Sequence, residues 1–215
     1  MSTFAIADIH GRFAELEHLL SVIAQAGATE YVFLGDYIDR GNNSRGVVSK
    51  LISLQKSDVK CHFLKGNHEV MALNAMKDDE ASTYWGYCGG DATLKSYGGT
   101  MDDSHLQFLS ELKLYHETNE AIFVHGSLNP ETAMSHQTEE DLLWQKCFSP
   151  LDHISGKRIY CGHTTQILGV PSMLGQARCI DCAGWLTAIN TSNDRVYQVN
   201  DEGNSRSFTM DMPVL

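Results

Sequence analysis

Gly35-Asp36-Tyr37-Ile38-Asp39-Arg40-Gly41 follows a short apolar run, Tyr31 to Leu34. The run has the length and the β-branched and aromatic character of a buried strand. Two acids and an arginine then follow, where that strand should end. Gly35 and Gly41 bracket them, and glycine lets the chain turn sharply on both sides. In open α/β sheets, ligands bind outside the carboxyl ends of the strands. One such loop is also what an ordinary solvated turn looks like, so its meaning depends on recurrence.

The pattern recurs four times. Phe4-Ala5-Ile6-Ala7 is followed by Asp8 and His10. Cys61-His62-Phe63-Leu64 is followed, after Lys65-Gly66, by Asn67, His68 and Glu69. Ala121-Ile122-Phe123-Val124 leads into His125-Gly126, and Arg158-Ile159-Tyr160-Cys161 into Gly162-His163-Thr164. A lone His or Asp at a strand end is usually a cap or a solvated turn. Five together are expected to converge, because the strand ends of one sheet lie side by side.

Between these runs the periodicity changes. Phe13, Leu16, Leu19, Leu20 and Ile23 share one face at helical spacing over residues 12–26, and Gly27 suits the stop. Ser44 is placed to cap a second helix, with Val47, Val48, Leu51 and Ile52 inward. The order is β-α-β-α-β, which implies parallel strands joined by right-handed crossovers. Residues 70–115 read as a helical cap. They include the aromatic, glycine-rich stretch Tyr84-Trp85-Gly86-Tyr87-Cys88-Gly89-Gly90. These aromatics either line a substrate cleft or pack the cap's own core. Residues 127–157 are a polar excursion with a short helix near Glu139 to Gln145. The later part reads as antiparallel strands at Cys179-Ile180, Trp185 to Asn190 and Arg195 to Asn200, with Asn193-Asp194 as a turn. These are expected to form a second sheet facing the first. The fold class is therefore α/β, two mixed sheets face to face flanked by helices, in a single domain over 1–215. A polar tail, loosely ordered, is expected from about 200.

Composition bounds the partners. The chain has 215 residues, 42% hydrophobic and 20% charged, with a formal net charge of −11. That length suits one sizeable core. The acidic balance argues against a nucleic-acid footprint or an anionic membrane surface, both of which need a basic face. A local cationic pocket for one phosphate stays compatible with it. No apolar run approaches the roughly 20 residues of a membrane span, and the first strand begins too early to leave a signal peptide. The six scattered cysteines read as reduced, in a cytoplasmic protein. Cys179-Ile180-Asp181-Cys182 has redox or zinc spacing without a second pair, and reads as two small residues beside a strand.

The ordered set Asp8-Ile9-His10-Gly11, Gly35-Asp36-Tyr37-Ile38-Asp39-Arg40-Gly41, Gly66-Asn67-His68-Glu69, His125-Gly126 and Gly162-His163 resembles the phosphoprotein phosphatase branch of the calcineurin-like metallophosphoesterases. The short bacterial and phage type fits best in length, and the resemblance runs from about residue 3 to 190. Each piece alone is weak; the ordered set is specific.

The ligand types support the same chemistry. Asp8, His10, Asp36, Asn67, His125 and His163 offer two carboxylates, three imidazoles and an amide oxygen. That mixture suits Mn²⁺, Fe²⁺ or Zn²⁺ better than Ca²⁺ or Mg²⁺. Six ligands exceed what one ion takes while leaving room for water, so two ions about 3.5–4 Å apart are expected, with Mn²⁺ favoured. The resemblance implies that Asp8, His10 and Asp36 hold one and Asp36, Asn67, His125 and His163 the other, with Asp36 bridging. Two such ions would lower the pKa of a shared water and supply hydroxide near neutral pH, so hydrolysis by direct attack is expected and no phosphoenzyme is needed. Arg40 offers a planar fork to phosphoryl oxygens. The resemblance casts His68 as general acid, Asp39 as its partner and Asn67 as a further substrate contact.

Three positions depart from the family's pattern. Ala7 stands where glycine is usual before the first aspartate, and Thr165 where proline is usual. Trp144-Gln145-Lys146 stands where Trp-x-Arg supplies a second phosphate-binding arginine, which leaves the substrate role of Lys146 open.

The expected function is hydrolysis of phosphoserine or phosphothreonine in a protein or peptide, with phosphotyrosine as a further substrate. One alternative is a symmetrical diadenosine tetraphosphate hydrolase on the same fold, which carries glutamine at the position of His10 and aspartate at that of Glu69. Another, from a different class, is a metal-binding scaffold without turnover. Neither the natural substrate nor the oligomeric state is legible.

Overall fold

In a computed structural model, which describes residues 2–210, the first half of the chain alternates as β1 (Thr3–Ile6), α1 (Phe13–Gln25), β2 (Glu30–Phe33), α2 (Ser44–Gln55) and β3 (Lys60–Phe63). Helices α3 (Asn67–Ala75), α4 (Asp79–Trp85), α5 (Asp91–Tyr97) and α6 (Asp103–Ser110) follow, with a π turn at Gly86–Gly90 between α4 and α5. Then come β4 (Tyr115–Glu117), β5 (Ala121–Val124), a 3-10 turn at Met134–His136, α7 (Glu139–Leu143) and β6 (Arg158–Cys161). Strands β7 (Ser172–Leu174), β8 (Ala177–Cys179), β9 (Leu186–Asn190), β10 (Arg195–Val199) and β11 (Ser205–Thr209) complete the described chain.

Two sheets result, in the orders β11-β10-β9-β1-β2-β3 and β4-β5-β6-β8-β7. The triplet β1-β2-β3 is parallel, as the β-α-β-α-β order requires. The five site-bearing strands do not share one sheet: β1, β2 and β3 belong to the first, β5 and β6 to the second. The late antiparallel strands also fall elsewhere than expected. β9 and β10 extend the first sheet through β1, and only β8, which ends at Cys179, joins the second. Both errors have one cause. Most of these runs, β1, β2, β5, β6 and β9 among them, are buried on both faces and do not reveal which neighbour they pair with.

In the structure each run alternates after all. Phe4 and Ile6 face the helices with Tyr31 and Phe33, while Ala5, Ala7, Val32 and Leu34 face the opposite sheet. Phe123 and Tyr160 meet them from the second sheet, and Ile122, Val124, Ile159 and Cys161 line its outer side. Ala7 is buried in this intersheet layer, where its methyl group fits. Burying a side chain the size of Val32, Leu34 or Phe123 in this layer contributes about 1.5–3 kcal/mol, which is what holds the sheets together.

Helix α1 buries Leu16, Leu19, Leu20 and Ile23 and is stopped by Gly27 at φ +86°. The cap of α2 is Asn43, whose side chain accepts from Gly46 N, and not Ser44. Ser44 is the first helical residue, and its Oγ accepts from Asp39 N at 3.2 Å. The segment expected as a helical cap over 70–115 holds helices from Asn67 to Ser110 and gives way to β4 at Tyr115; Met71, Ala72, Trp85, Phe108 and Leu109 join it to the core of the first sheet. The loose tail is corrected up to residue 210. β11 pairs in register with β10, as Phe208 with Val196, and Phe208 packs against the intersheet core. Residues 211–215, the rest of that expectation, lie outside the described residues. No helix among the described residues is long and apolar enough to cross a membrane.

Candidate metal centre

The carboxyl ends of β1, β2, β3, β5 and β6 meet at one edge of the sandwich. Asp36 stands at the middle. Its Oδ2 lies 3.6 Å from His10 Nε2 and 3.9 Å from His68 Nε2. Its Oδ1 lies 3.4 Å from His125 Nε2. One carboxylate oxygen therefore faces each half of the cluster. Asp36 belongs to both groups of potential ligands, one with His10 and His68 and one with His125 and His163. Asp8 approaches from β1 and accepts the His163 N–H at 3.1 Å.

The backbone is bent to achieve this. Among the described residues, six other than glycine have positive φ, and five of them are His10, Asp36, Asp39, Arg40 and His163. Such conformations cost free energy and persist where surrounding structure enforces them. At Asp36 the enforcer is Glu69. It is fully buried and accepts from Asp36 N, Tyr37 N and Gly66 N, each at 2.8 Å. Close approach also requires two glycines. A Cβ on Gly66 would collide with Asp36 Oδ1, and one on Gly162 with Asp8 Oδ1. Glu69→Gln leaves one oxygen where two accepted three N–H groups, and turns an NH₂ toward a donor. It is expected to lower unfolding stability by about 1–3 kcal/mol, read from urea denaturation.

Charge and protonation fit a cation. Burial pushes Asp8 well above the ordinary carboxylate range, helped by the charge of Asp181. Burial does the same to Asp36, helped by Asp8 and Glu69. Burial also holds His10 and His125 well below the usual imidazole range and pushes His163 down to about 4. These are neutral imidazoles beside carboxylates that lack enough positive charge. His125 makes the point sharply. Its Nδ1 lies 3.0 Å from Leu34 O and its Nε2 lies 2.9 Å from Asn67 Oδ1. A neutral ring has one N–H and cannot serve two acceptors. With Nδ1–H on Leu34 O, the Nε2 lone pair and the amide oxygen face the same point, as two ligands of one ion would. His10 has the same set, with Nδ1 2.9 Å from Ile38 O. His163 is reversed, with Nε2–H donating to Trp144 O at 3.2 Å, which leaves the Nδ1 lone pair free to bind an ion.

Beside this cluster lies a second one. His68 Nδ1 is 2.6 Å from Asp39 Oδ2. That carboxylate also accepts from Trp85 Nε1 at 2.8 Å and from Thr93 Oγ1 at 2.7 Å. Arg40 spans the imidazoles, with its two terminal nitrogens 2.9 Å from His10 Nε2 and 3.0 Å from His68 Nε2. Sequence reasoning does not single out Trp85 and Thr93 as holders of Asp39. The usable signal is the glycine run, because a Cβ on Gly90 would lie 2.5 Å from the Trp85 ring. Trp85 is buried, while Tyr84 and Tyr87 stand exposed. Lys146 is exposed beyond the end of α7. Its ammonium lies 5.9 Å over the Phe148 ring, and its charge adds to the burial that depresses His163.

Residues 1–170 match the calcineurin-like phosphoesterase family. The chain belongs to that family. Among curated proteins this phosphoesterase is similar to the serine/threonine-protein phosphatase 6 catalytic subunit of Drosophila melanogaster, 30% identical in an alignment of 133 residues that covers 58% of this chain and 39% of that one. A protein phosphatase 2A catalytic subunit from Dictyostelium discoideum is 30% identical over 128 residues, 58% of this chain and 38% of that one. The phosphoesterase thus spans about two fifths of the length of these relatives. A candidate diadenosine tetraphosphatase of known structure superposes with a TM-score of 0.67 at 18% identity, covering 98% of this chain and 95% of that one. At that identity the likeness shows the fold alone.

Proposed function

We propose that the chain is a two-metal phosphomonoesterase acting on phosphoserine and phosphothreonine in proteins or peptides. The observation that carries this reading is the Asp39–His68–Arg40 arrangement beside a donor set split by the two oxygens of Asp36. A metal-binding scaffold has no use for an imidazole anchored by a buried carboxylate next to an exposed guanidinium.

The donor set fits divalent ions of intermediate hardness, Mn²⁺ first, with Fe or Zn²⁺ as alternatives. Asp8, His10 and Asp36 would hold one, and Asp36, Asn67, His125 and His163 the other. When bound, such ions activate a water nucleophile and offset phosphoryl charge. The chain's own residues supply the rest. Arg40 turns its fork to two phosphoryl oxygens and fixes their plane. Asn67 offers its amide beside them. Asp39 holds the His68 ring through Nδ1, which directs Nε2 toward the leaving oxygen. Once the Arg40 fork has left that Nε2 for the phosphoryl oxygens, the ring can carry a proton there and give it up as the ester bond breaks. Trp85 and Thr93 keep Asp39 from rotating.

Support for a protein substrate comes from the relatives, which are serine/threonine phosphatase catalytic subunits. The test is turnover of phosphopeptides, an aryl phosphate and a dinucleoside polyphosphate by protein loaded with defined divalent ions. Release of phosphate from phosphopeptides is expected. Nucleoside diphosphates as the main product would move the assignment to a dinucleoside polyphosphate hydrolase. No turnover of any ester would leave a scaffold.

Lys146 is assigned to the substrate side. A lysine offers a point charge and no planar fork. Lys146→Ala is expected to lower kcat/KM about ten-fold or more, since a charge-assisted hydrogen bond is worth about 1.5–3 kcal/mol. Lys146→Arg is expected to retain or raise it. Kinetics of both variants on one phosphopeptide check this, and an unchanged kcat/KM in the alanine variant removes Lys146 from the site.

A further inference from the structure

Three cysteines meet behind the catalytic edge. Cys161 on β6 and Cys179 on β8 are direct partners across parallel strands, and their sulfurs are 3.3 Å apart. A disulfide needs about 2.05 Å, and all three thiols are free. Cys147 enters from the segment after α7 and places its sulfur within 4.8 Å of both. Cys147 is 4% exposed, and the other two are 0% exposed. Ile122, Val124, Leu142 and Ile159 surround them in the outer core of the second sheet. The thiols' hydrogen bonds are long and go to backbone, Cys161 to Arg178 O at 3.7 Å and Cys147 to Ser149 O at 3.8 Å.

We propose that Cys147, Cys161 and Cys179 form a separate metal site for a thiophilic divalent d¹⁰ cation, Zn²⁺ or its surrogate Cd²⁺. The distances suit it. An ion about 2.3 Å from each sulfur requires sulfurs about 3.8–4.0 Å apart; the Cys161–Cys179 pair at 3.3 Å would open by about half an ångström, and Cys147 lies within 4.8 Å of both. The donor chemistry suits it too. A sulfur-only set selects soft ions and rejects the harder ions that carboxylate and imidazole hold at the catalytic edge. Each ligating thiol releases its proton to solvent as the ion enters, because the thiolate is the metal ligand. The ion's two positive charges then offset most of the charge of the buried thiolates, which an apolar surround requires. A backbone carbonyl is at hand for a fourth position. The ion would grip the loop of His163 from both flanks. Cys161 precedes that residue by two positions, and Cys147 N–H donates to Thr164 Oγ1 at 2.9 Å. This site does not rest on the phosphatase reading.

The test refolds the whole chain with excess Mn²⁺ and then with Cd²⁺, following thiolate-to-cadmium charge-transfer absorption in the ultraviolet. Carboxylate and imidazole ligands are silent in that band. One cadmium per chain with a strong band is expected. Cys147→Ser and Cys179→Ser should each abolish it, and Cys61→Ser and His125→Asn should each leave it. Circular dichroism identifies any variant that fails to fold, and cadmium NMR of the native chain then reports sulfur ligation without a substitution. Absence of the band in folded native protein overturns the site. So does a band undiminished in Cys147→Ser and Cys179→Ser, or a cadmium resonance outside the range of multiple sulfur ligands.

Discussion

Asp36→Asn is expected to empty both metal positions together and to reduce phosphatase activity to background. The amide keeps the shape of the side chain and can still accept the His68 N–H that Asp36 Oδ1 accepts at 3.1 Å. It loses the charge and one of the two oxygens that face opposite halves of the cluster. The substitution should also act in the opposite direction on the ion-free fold. Burial raises the Asp36 pKa, so the folded chain holds that proton more tightly than the unfolded chain does. The associated stability is present at low pH and is lost as pH rises through the raised value. At neutral pH without ions the carboxylate is therefore a liability, and the amide removes it. Metal analysis should give substoichiometric metal, and thermal unfolding in chelator should give a Tm at or above that of the native chain. Full metal content with normal turnover would remove Asp36 from the bridging role.

His68→Asn should separate substrates by leaving group. A general acid matters most when the departing oxygen is strongly basic. Phosphoserine leaves as an alkoxide, so kcat should fall about 100-fold or more. An aryl phosphate with an acidic phenol needs little protonation and should lose far less. Metal content should hold, because His68 is assigned to the proton and not to an ion. Equal losses on both substrates would take His68 out of the acid role. Trp85→Phe provides a graded comparison. It removes one of the donors to Asp39 Oδ2 while leaving the His68 contact in place. A smaller loss with the same dependence on leaving group is expected.

The donor types are legible in the sequence because each sits within three residues of the end of a strand-like run. Asp8, Asp36, Asn67, His125 and His163 need no tertiary information to be picked out, and the structure brings them together. What holds them in place is not legible. Glu69 reaches backbone groups more than thirty residues away, and nothing in Gly-Asn-His-Glu announces that reach. Trp85 reaches Asp39 from a helix that the sequence assigns only to a cap. Sheet membership is hidden because strands buried on both faces lack a visible polar side. The alternation that decides it is between two apolar environments, as with Ala5 toward the facing sheet and Phe4 and Ile6 toward the helices. The cap of α2 falls one residue earlier than expected, since Asn43 and Ser44 are both competent caps and the Ser44 hydroxyl is held by Asp39 N and Thr93.

The division of the donors between two sheets makes the layer between those sheets a spacer with a catalytic tolerance. Asp36 and His125 hang from opposite leaves of the sandwich, and their strands belong to separate hydrogen-bonded sheets. Their separation is set by how thickly Ala5, Val32, Phe123 and Tyr160 fill the gap. A methylene added or removed there shifts no ligand along its own strand. It changes the span between leaves, and ions that demand fixed bond lengths translate that change into altered affinity. On the proposed two-metal reading, the intersheet core acts as the gauge block of the site, and its side-chain volumes answer to coordination chemistry as well as to packing.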